Sequence, residues 1–153
     1  MDKAMATHSE TVGEEKVGKH GDKAIQCIVV TPEKTWLDEL VDSVVLPAYD
    51  GEIGILHGHT PLIARLGYGE LRTRTGESVQ RYFVDGGFAQ VRDDVVTVLT
   101  HRAIPAAQVD AAAAARELEQ VESKRAVTEH EFADRQRAVA RARGMIRVAR
   151  HRA

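Results

Sequence analysis

Few side chains in this sequence have the type and spacing that bond chemistry requires. Cys27, the single cysteine, lies inside the apolar run Ile25-Gln26-Cys27-Ile28-Val29-Val30. No basic residue adjoins it to lower its pKa, so it reads as an inert buried thiol and not a nucleophile. A lone cysteine forms no internal disulfide and no thiolate zinc site, which fits a reducing compartment. His57 and His59 alternate as polar residues do at a strand end, and zinc would need at least a third donor beside them. Glu52 is displayed between Gly51 and Gly54 with no second carboxylate or base at catalytic spacing, which marks a contact residue and not a general acid. There is no phosphate-cradling loop, nucleophile elbow or HExxH helix, and Gly86-Gly87 precedes a strand-like segment where a phosphate site would need a helix start. The expectation is a protein without catalytic residues, cofactor or metal.

Charge points to contact instead. The 153 residues carry a formal net charge of -2, so no global field holds the chain on nucleic acid or an acidic membrane. Positive charge is local: Arg135, Arg137, Arg141, Arg143, Arg147, Arg150 and Arg152 follow one another, and no acidic residue occurs after Asp134. One reading is a solvated helix whose cations gain about 0.3 to 1 kcal/mol each from the macrodipole. The other is a rod that docks on an acidic protein surface through charge-assisted hydrogen bonds. As a nucleic-acid adaptor the rod lacks helix-face aromatics and a groove-reading pattern, so such binding would be weak and salt-dependent.

Three stretches must position these residues. Residues 1–24 mix Lys and Glu with Gly, Ser and Thr and lack the apolar run of about 7 to 15 residues that a signal peptide carries; they read as a disordered polar extension. No segment approaches the ~18 apolar residues of a membrane span. Residues 25–104 are punctuated by Asp50-Gly51, His57-Gly58, Gly67-Tyr68-Gly69, Gly76, Asp85-Gly86-Gly87 and Asp93-Asp94, turns that recur about every ten residues between short alternating apolar runs. Antiparallel strands so joined imply a β-sandwich or flattened barrel.

Residues 105–153 change character. From Ala106 onward there is no proline and one glycine, Gly144, among strong helix formers. Thr128-Glu129-His130-Glu131 has the capping-box pattern, which favours a helix hairpin, Val109 to Val127 and Glu131 to Arg150, over one continuous helix. Phe132, Val139 and Ile146 recur at seven-residue spacing with Ala142 and Ala149 between them, facing Leu118 and Val121. That stripe is thin, so the hairpin opens or moves at small cost.

The stretch Pro47-Ala48-Tyr49-Asp50-Gly51-Glu52-Ile53-Gly54-Ile55-Leu56-His57-Gly58-His59-Thr60-Pro61-Leu62 closely resembles the glycine-bracketed loop and strand of the epsilon subunits of F-type ATP synthases. Val30-Thr31-Pro32-Glu33-Lys34, Val41 to Pro47, Asp85-Gly86-Gly87-Phe88-Ala89-Gln90-Val91 and Val95 to Thr100 extend the resemblance over nearly all of residues 25–104. Physics supports the same residues: Gly51, Gly54 and Gly58 permit positive φ and close backbone approach, while Ile53 and Ile55 anchor the segment to a core.

The resemblance implies a non-catalytic central-stalk subunit on the cytoplasmic face of a bacterial inner membrane, attached only through its complex, that couples the gamma subunit to the membrane c-ring. It implies that Gly51, Glu52, Ile53, Gly54, His57 and His59 form the rotor-contact loop, with Glu52 toward the c-ring and His59 toward gamma. The family typically has proline where His57 stands, a departure expected to loosen the loop. It further implies that the arm, through Arg137, Arg141, Arg143, Arg147 and Arg150, meets acidic surfaces of the catalytic beta and alpha subunits and restrains ATP hydrolysis. Some bacterial members bind ATP in the hairpin. Asp110 keeps one residue of that motif, and Arg137 and Arg141 match its arginine pair, but Ala113 stands where the motif's arginine belongs, so the triphosphate loses a charge-assisted donor.

Overall fold

The computed structural model describes residues 23–151; residues 1–22 of the expected polar extension, and Arg152, lie outside the described residues. Eight strands follow one another: β1 (Ile25–Val30), β2 (Thr35–Val41), β3 (Ser43–Ala48), β4 (Gly51–Ile55), β5 (Leu62–Thr75), β6 (Ser78–Arg92), β7 (Val95–Leu99) and β8 (Ala103–Pro105). They hydrogen-bond in the order β2-β1-β7-β6-β5-β3-β4, with β8 beside β6. β1 shows why the apolar runs become strands: Ile25, Cys27 and Val29 are buried while the residues between them are half-exposed, the period of a pleated surface with one face inward.

Two expectations change here. Gly67-Tyr68-Gly69 and Asp85-Gly86-Gly87 are not turns between short strands. They are bends inside β5 and β6, which are 14 and 15 residues long and pair from Thr75↔Ser78 to Leu62↔Val91. Gly86 and Gly87 have φ of 66° and 103°, and a Cβ on Gly87 would lie 1.9 Å from the Leu99 carbonyl oxygen; glycine at the bend lets the following chain cross against the strand. The pairing is also not wholly antiparallel, since β1 runs parallel to β7. These strands are joined through most of the body, and a connection of that length permits the parallel sense that a tight hairpin forbids.

The bend in β5 and β6 closes the fold. One end of the pair lies beside β7, β1 and β2, and the other beside β3, β4 and β8, so a single sheet folds over itself as a sandwich. Ile25, Cys27, Val29 and Val98 from one layer meet Val44, Leu46, Leu71 and Val84 from the other, each at most 1% exposed. Burial pushes the Cys27 thiol up to about 12, which makes it the inert core residue that its neighbours suggested.

After a short 3₁₀ turn at Ala106–Gln108 come α1 (Ala111–Ser123) and α2 (Glu129–Arg150). The Thr128 hydroxyl accepts from the Glu131 amide at 3.1 Å, and Glu131 accepts from the Val127 and Thr128 amides at 2.8 and 3.2 Å. This capping box divides the hairpin. It also draws Val127 out of helix, so α1 ends earlier than expected, and α2 begins at Glu129. At the other end Val109 is a buried plug, 1% exposed, and Asp110 is the cap of α1.

The burial of α2 matches the expected stripe at Ala142 and departs from it elsewhere. Phe132 is 50% exposed, and Val139 and Ile146 are only half-buried. The buried positions are Ala142, Gly144 and Val148. Val148 joins Phe83, Ala106 and Val109 in a second core cluster, flanked by Tyr68, Ile104, Met145 and Ala149. A Cβ on Gly144 would stand 2.4 Å from the Tyr68 carbonyl oxygen. The one glycine of the helical region is therefore the place where helix backbone meets sheet backbone, and α2 packs on α1, on the bent strands and on the 3₁₀ turn.

Candidate functional site

Among the described residues β4 is an edge strand, paired only with β3, which leaves one side of its backbone open to a partner. Ile55 is buried and Ile53 packs on the core, which fixes the strand and turns Gly51, Glu52 and Gly54 outward, all exposed. Gly51 and Gly58 have φ of 143° and 79°. Gly54 does not share the expected positive φ; it is extended, and a Cβ there would meet nothing within 4 Å. Among the described residues no contact demands a glycine at 54, so its bare backbone is exposed there.

Glu52 is held in place. Arg72 donates to both its carboxylate oxygens, at 2.9 and 3.0 Å, and to Glu70 at 3.2 Å. Arg81 reaches the same Glu70 oxygen at 2.6 Å, and the His151 Nδ1 lies 3.3 Å from the other. The bidentate bond from Arg72 keeps the Glu52 carboxyl below its ordinary range, so it presents a charged, oriented oxygen pair.

The loop after β4 is pinned from β7's side of the body. Asp94, with φ of 60° in the β6–β7 turn, accepts from the Gly58 amide at 2.6 Å and lies 3.1 Å from the His57 Nδ1. His57 therefore does not loosen the loop as its departure from proline suggested, because its ring is anchored through Asp94. His59 turns its Nδ1 to the Thr60 carbonyl at 2.7 Å. Among the described residues no three His, Cys, Asp or Glu side chains gather as a metal site.

A second surface escaped the sequence reading. Ile63, Phe88 and Leu99 are 74%, 57% and 54% exposed. Phe88 pairs with Leu99 across β6–β7, and Leu99 with Val30 across β7–β1. They lie on the outer face of one layer, where large apolar side chains in water mark an interaction surface. The signal was in the parity: Phe88 is out of phase with buried Ala89 and Val91, and Leu99 with buried Val96 and Val98.

The arginines of the arm fall into two sets. Arg137 pairs with Asp134 on its own helix, and Arg143 lies 3.2 Å from Glu122 of α1. Arg141 instead crosses to the sheet, its Nε 2.9 Å from Asp85 and its guanidinium 5.3 Å from the Tyr68 ring centre. Arg147 points to the Tyr68 carbonyl at 3.5 Å, and Arg150 is exposed. Glu52, Arg72, Arg143, Arg147 and His151 line one groove of about 540 Å³ between the β4 edge and α2. The β4 edge and the basic helix are thus neighbours.

Residues 24–106 match the family described as ATP synthase, Delta/Epsilon chain, beta-sandwich domain. The chain is 50% identical over 127 residues to the ATP synthase epsilon chain of Rhodopirellula baltica, covering 83% of this chain and 99% of that protein. It belongs to the ATP synthase epsilon family.

The ATP synthase epsilon chain of Syntrophobacter fumaroxidans is 39% identical over 127 residues, covering 82% of this chain and 95% of that one. A chain in the cryo-EM structure of Euglena gracilis mitochondrial ATP synthase, with OSCP, F1 and c-ring, superposes with a TM-score of 0.75 at 26% identity, covering 92% and 87% of the two chains. A chain of the Tetrahymena thermophila central stalk and c-ring shares the fold at TM-score 0.67 and 14% identity, covering 86% and 98%. The epsilon chain is a non-catalytic subunit of its complex, in keeping with a surface built for contact. No helix among the described residues is long and apolar enough to cross a membrane.

The structure also gives the family's nucleotide-motif residues other partners. The Asp110 carboxylate caps α1, accepting from the Ala113 amide at 3.0 Å, while Arg137 and Arg141 are paired with Asp134 and Asp85. The three side chains are engaged with three different elements.

Proposed function

We propose that this epsilon-family chain is the central-stalk coupling subunit of an F-type ATP synthase, seated between the gamma subunit and the membrane c-ring at the cytoplasmic face of a bacterial inner membrane. The observation that carries the reading is the unburied apolar face of Ile63, Phe88 and Leu99 on the same rigid body as the open β4 edge. A rotor element must hold two partners at once, and one continuous sheet gives two surfaces a fixed relation. The apolar face suits gamma, and the family resemblance adds His59 to that contact. The polar edge of Gly51, Glu52 and Gly54 suits the polar loops of the c-ring. The arm carries Arg137, Arg141, Arg143, Arg147 and Arg150 to acidic surfaces of the catalytic beta and alpha subunits, and there restrains ATP hydrolysis.

Co-purification with gamma and the soluble ATPase head tests the reading. The native chain is expected to travel with both, and Phe88→Glu with Leu99→Glu to lose roughly tenfold or more in affinity, as central apolar contacts do. Undiminished binding by that variant would overturn the assignment of the face. Recovery of the native chain with nucleic acid, released by moderate salt, would point to the basic adaptor instead.

A further inference from the structure

The contacts of the arm divide by what happens to them when the arm leaves the sheet. The Arg137–Asp134 and Arg143–Glu122 pairs lie within the hairpin and travel with it. His151 is 61% exposed in its side chain, and its partner Glu70 keeps Arg72 and Arg81 without it. Among the described residues Arg147 reaches a carbonyl, at 3.5 Å. The Arg141–Asp85 pair is different. The Asp85 side chain is 11% exposed, and its other basic neighbour, Arg102, lies at 3.8 Å.

Asp85 is also aimed. Its amide is held by the Thr100 hydroxyl at 3.1 Å and the Arg102 carbonyl at 3.0 Å, and the Gly86-Gly87 bend follows at once. Its carboxylate meets Arg141 between the Tyr68 ring and the close approach of Gly144 to the Tyr68 backbone. Withdrawal of Arg141 leaves a mostly buried carboxylate with one distant cation, an unfavourable state.

We propose that Asp85 is an internal seat for Arg141 that competes with the arm's acidic partner for the same guanidinium, so that the β-body itself sets how often the arm is free. The competition rests on the docking of the arm proposed above; the seat does not. A ligand shared between two sites shifts occupancy by the difference between its affinities for them, so weakening the seat favours the partner.

The full-length chain tests the seat through hydrogen exchange of α2 amides in native protein, Asp85→Asn, Arg141→Gln and the double variant. Each single variant is expected to speed exchange in α2 about tenfold with β6 unchanged, and the double variant to be no faster than the singles. Unchanged exchange, or effects that add, would overturn the seat. In the assembled ATP synthase the singles are expected to diverge: Asp85→Asn deepens the restraint on hydrolysis because Arg141 is released to the partner, whereas Arg141→Gln relieves it. Shifts of the same sign overturn the competition. If both variants loosen α2 and neither alters hydrolysis, the seat stands and the inhibitory role of the arm falls.

Discussion

Between Ile25 and Pro105 the central strands have hydrogen-bonded neighbours on both sides and a face in one shared core, whereas α2 rests on that body through a small cluster around Phe83 and Val148, the approach of Gly144 and the Asp85 seat. The first region is held by cooperative pairing and packing. The second is held by contacts that can be counted by residue name, and its remaining ion pairs lie within the hairpin or, for His151 with Glu70, at its exposed end. A mount and a movable attachment need this contrast, because the mount must keep its shape when the attachment leaves.

The contrast is broken most severely from inside the mount. Leu71→Ala, at a fully buried position, is expected to lower stability by about 2 to 5 kcal/mol. Urea unfolding followed by alkylation of Cys27, whose buried thiol reacts only in opened molecules, checks this. Gly144→Ala sharpens the comparison from the other side. Its methyl would lie 2.4 Å from the Tyr68 carbonyl oxygen, and relief of that clash is expected to cost the docking of α2 roughly 1 to 3 kcal/mol. Exchange should rise in α2 while the urea midpoint of the body stays within error; a fall of both together would join the two regions into one cooperative unit.

Thr128→Ala comes next, with about 1 kcal/mol lost from the start of α2, read as helix content by circular dichroism. The cap also has a pH sense. Glu131 accepts from two backbone amides, and these bonds hold its carboxyl below the ordinary range. A depressed folded value means that its contribution is present above the ordinary carboxylate pKa and is lost as pH falls through the lowered one. Exchange at the α2 start should rise on acidification, and Glu131→Gln should flatten that dependence. The smallest effect belongs to Glu52→Gln: with the carboxylate largely exposed, the isolated chain should lose under about 1 kcal/mol.

Much of this was legible in the sequence because local signals agreed with the final packing. Alternation marked the strands, and Thr128 with Glu131 marked the hairpin. The turns placed at Gly67-Tyr68-Gly69 and Asp85-Gly86-Gly87 were misread because a glycine pair at a bend has the same composition as one at a reversal. The helix stripe of Phe132, Val139 and Ile146 was misread because periodicity gives a face but not its neighbour, and the sheet takes α2 at Gly144 and Val148. The partners of Arg141 and His57, Asp85 and Asp94, lie 56 and 37 residues away, a separation that only the bent strands bring together. Parity along β6 and β7 did hold the apolar face of Phe88 and Leu99, obscured by the habit of reading large apolar residues as core.

The measurement that bears most directly on the mount and its attachment is ATP hydrolysis by the ATP synthase assembled with the chain lacking residues 106–153, beside the same complex with the full chain. The shortened chain is expected to be retained by gamma while hydrolysis rises. Retention with unaltered hydrolysis would contradict the role of the arm, and loss of retention would contradict the independence of the body.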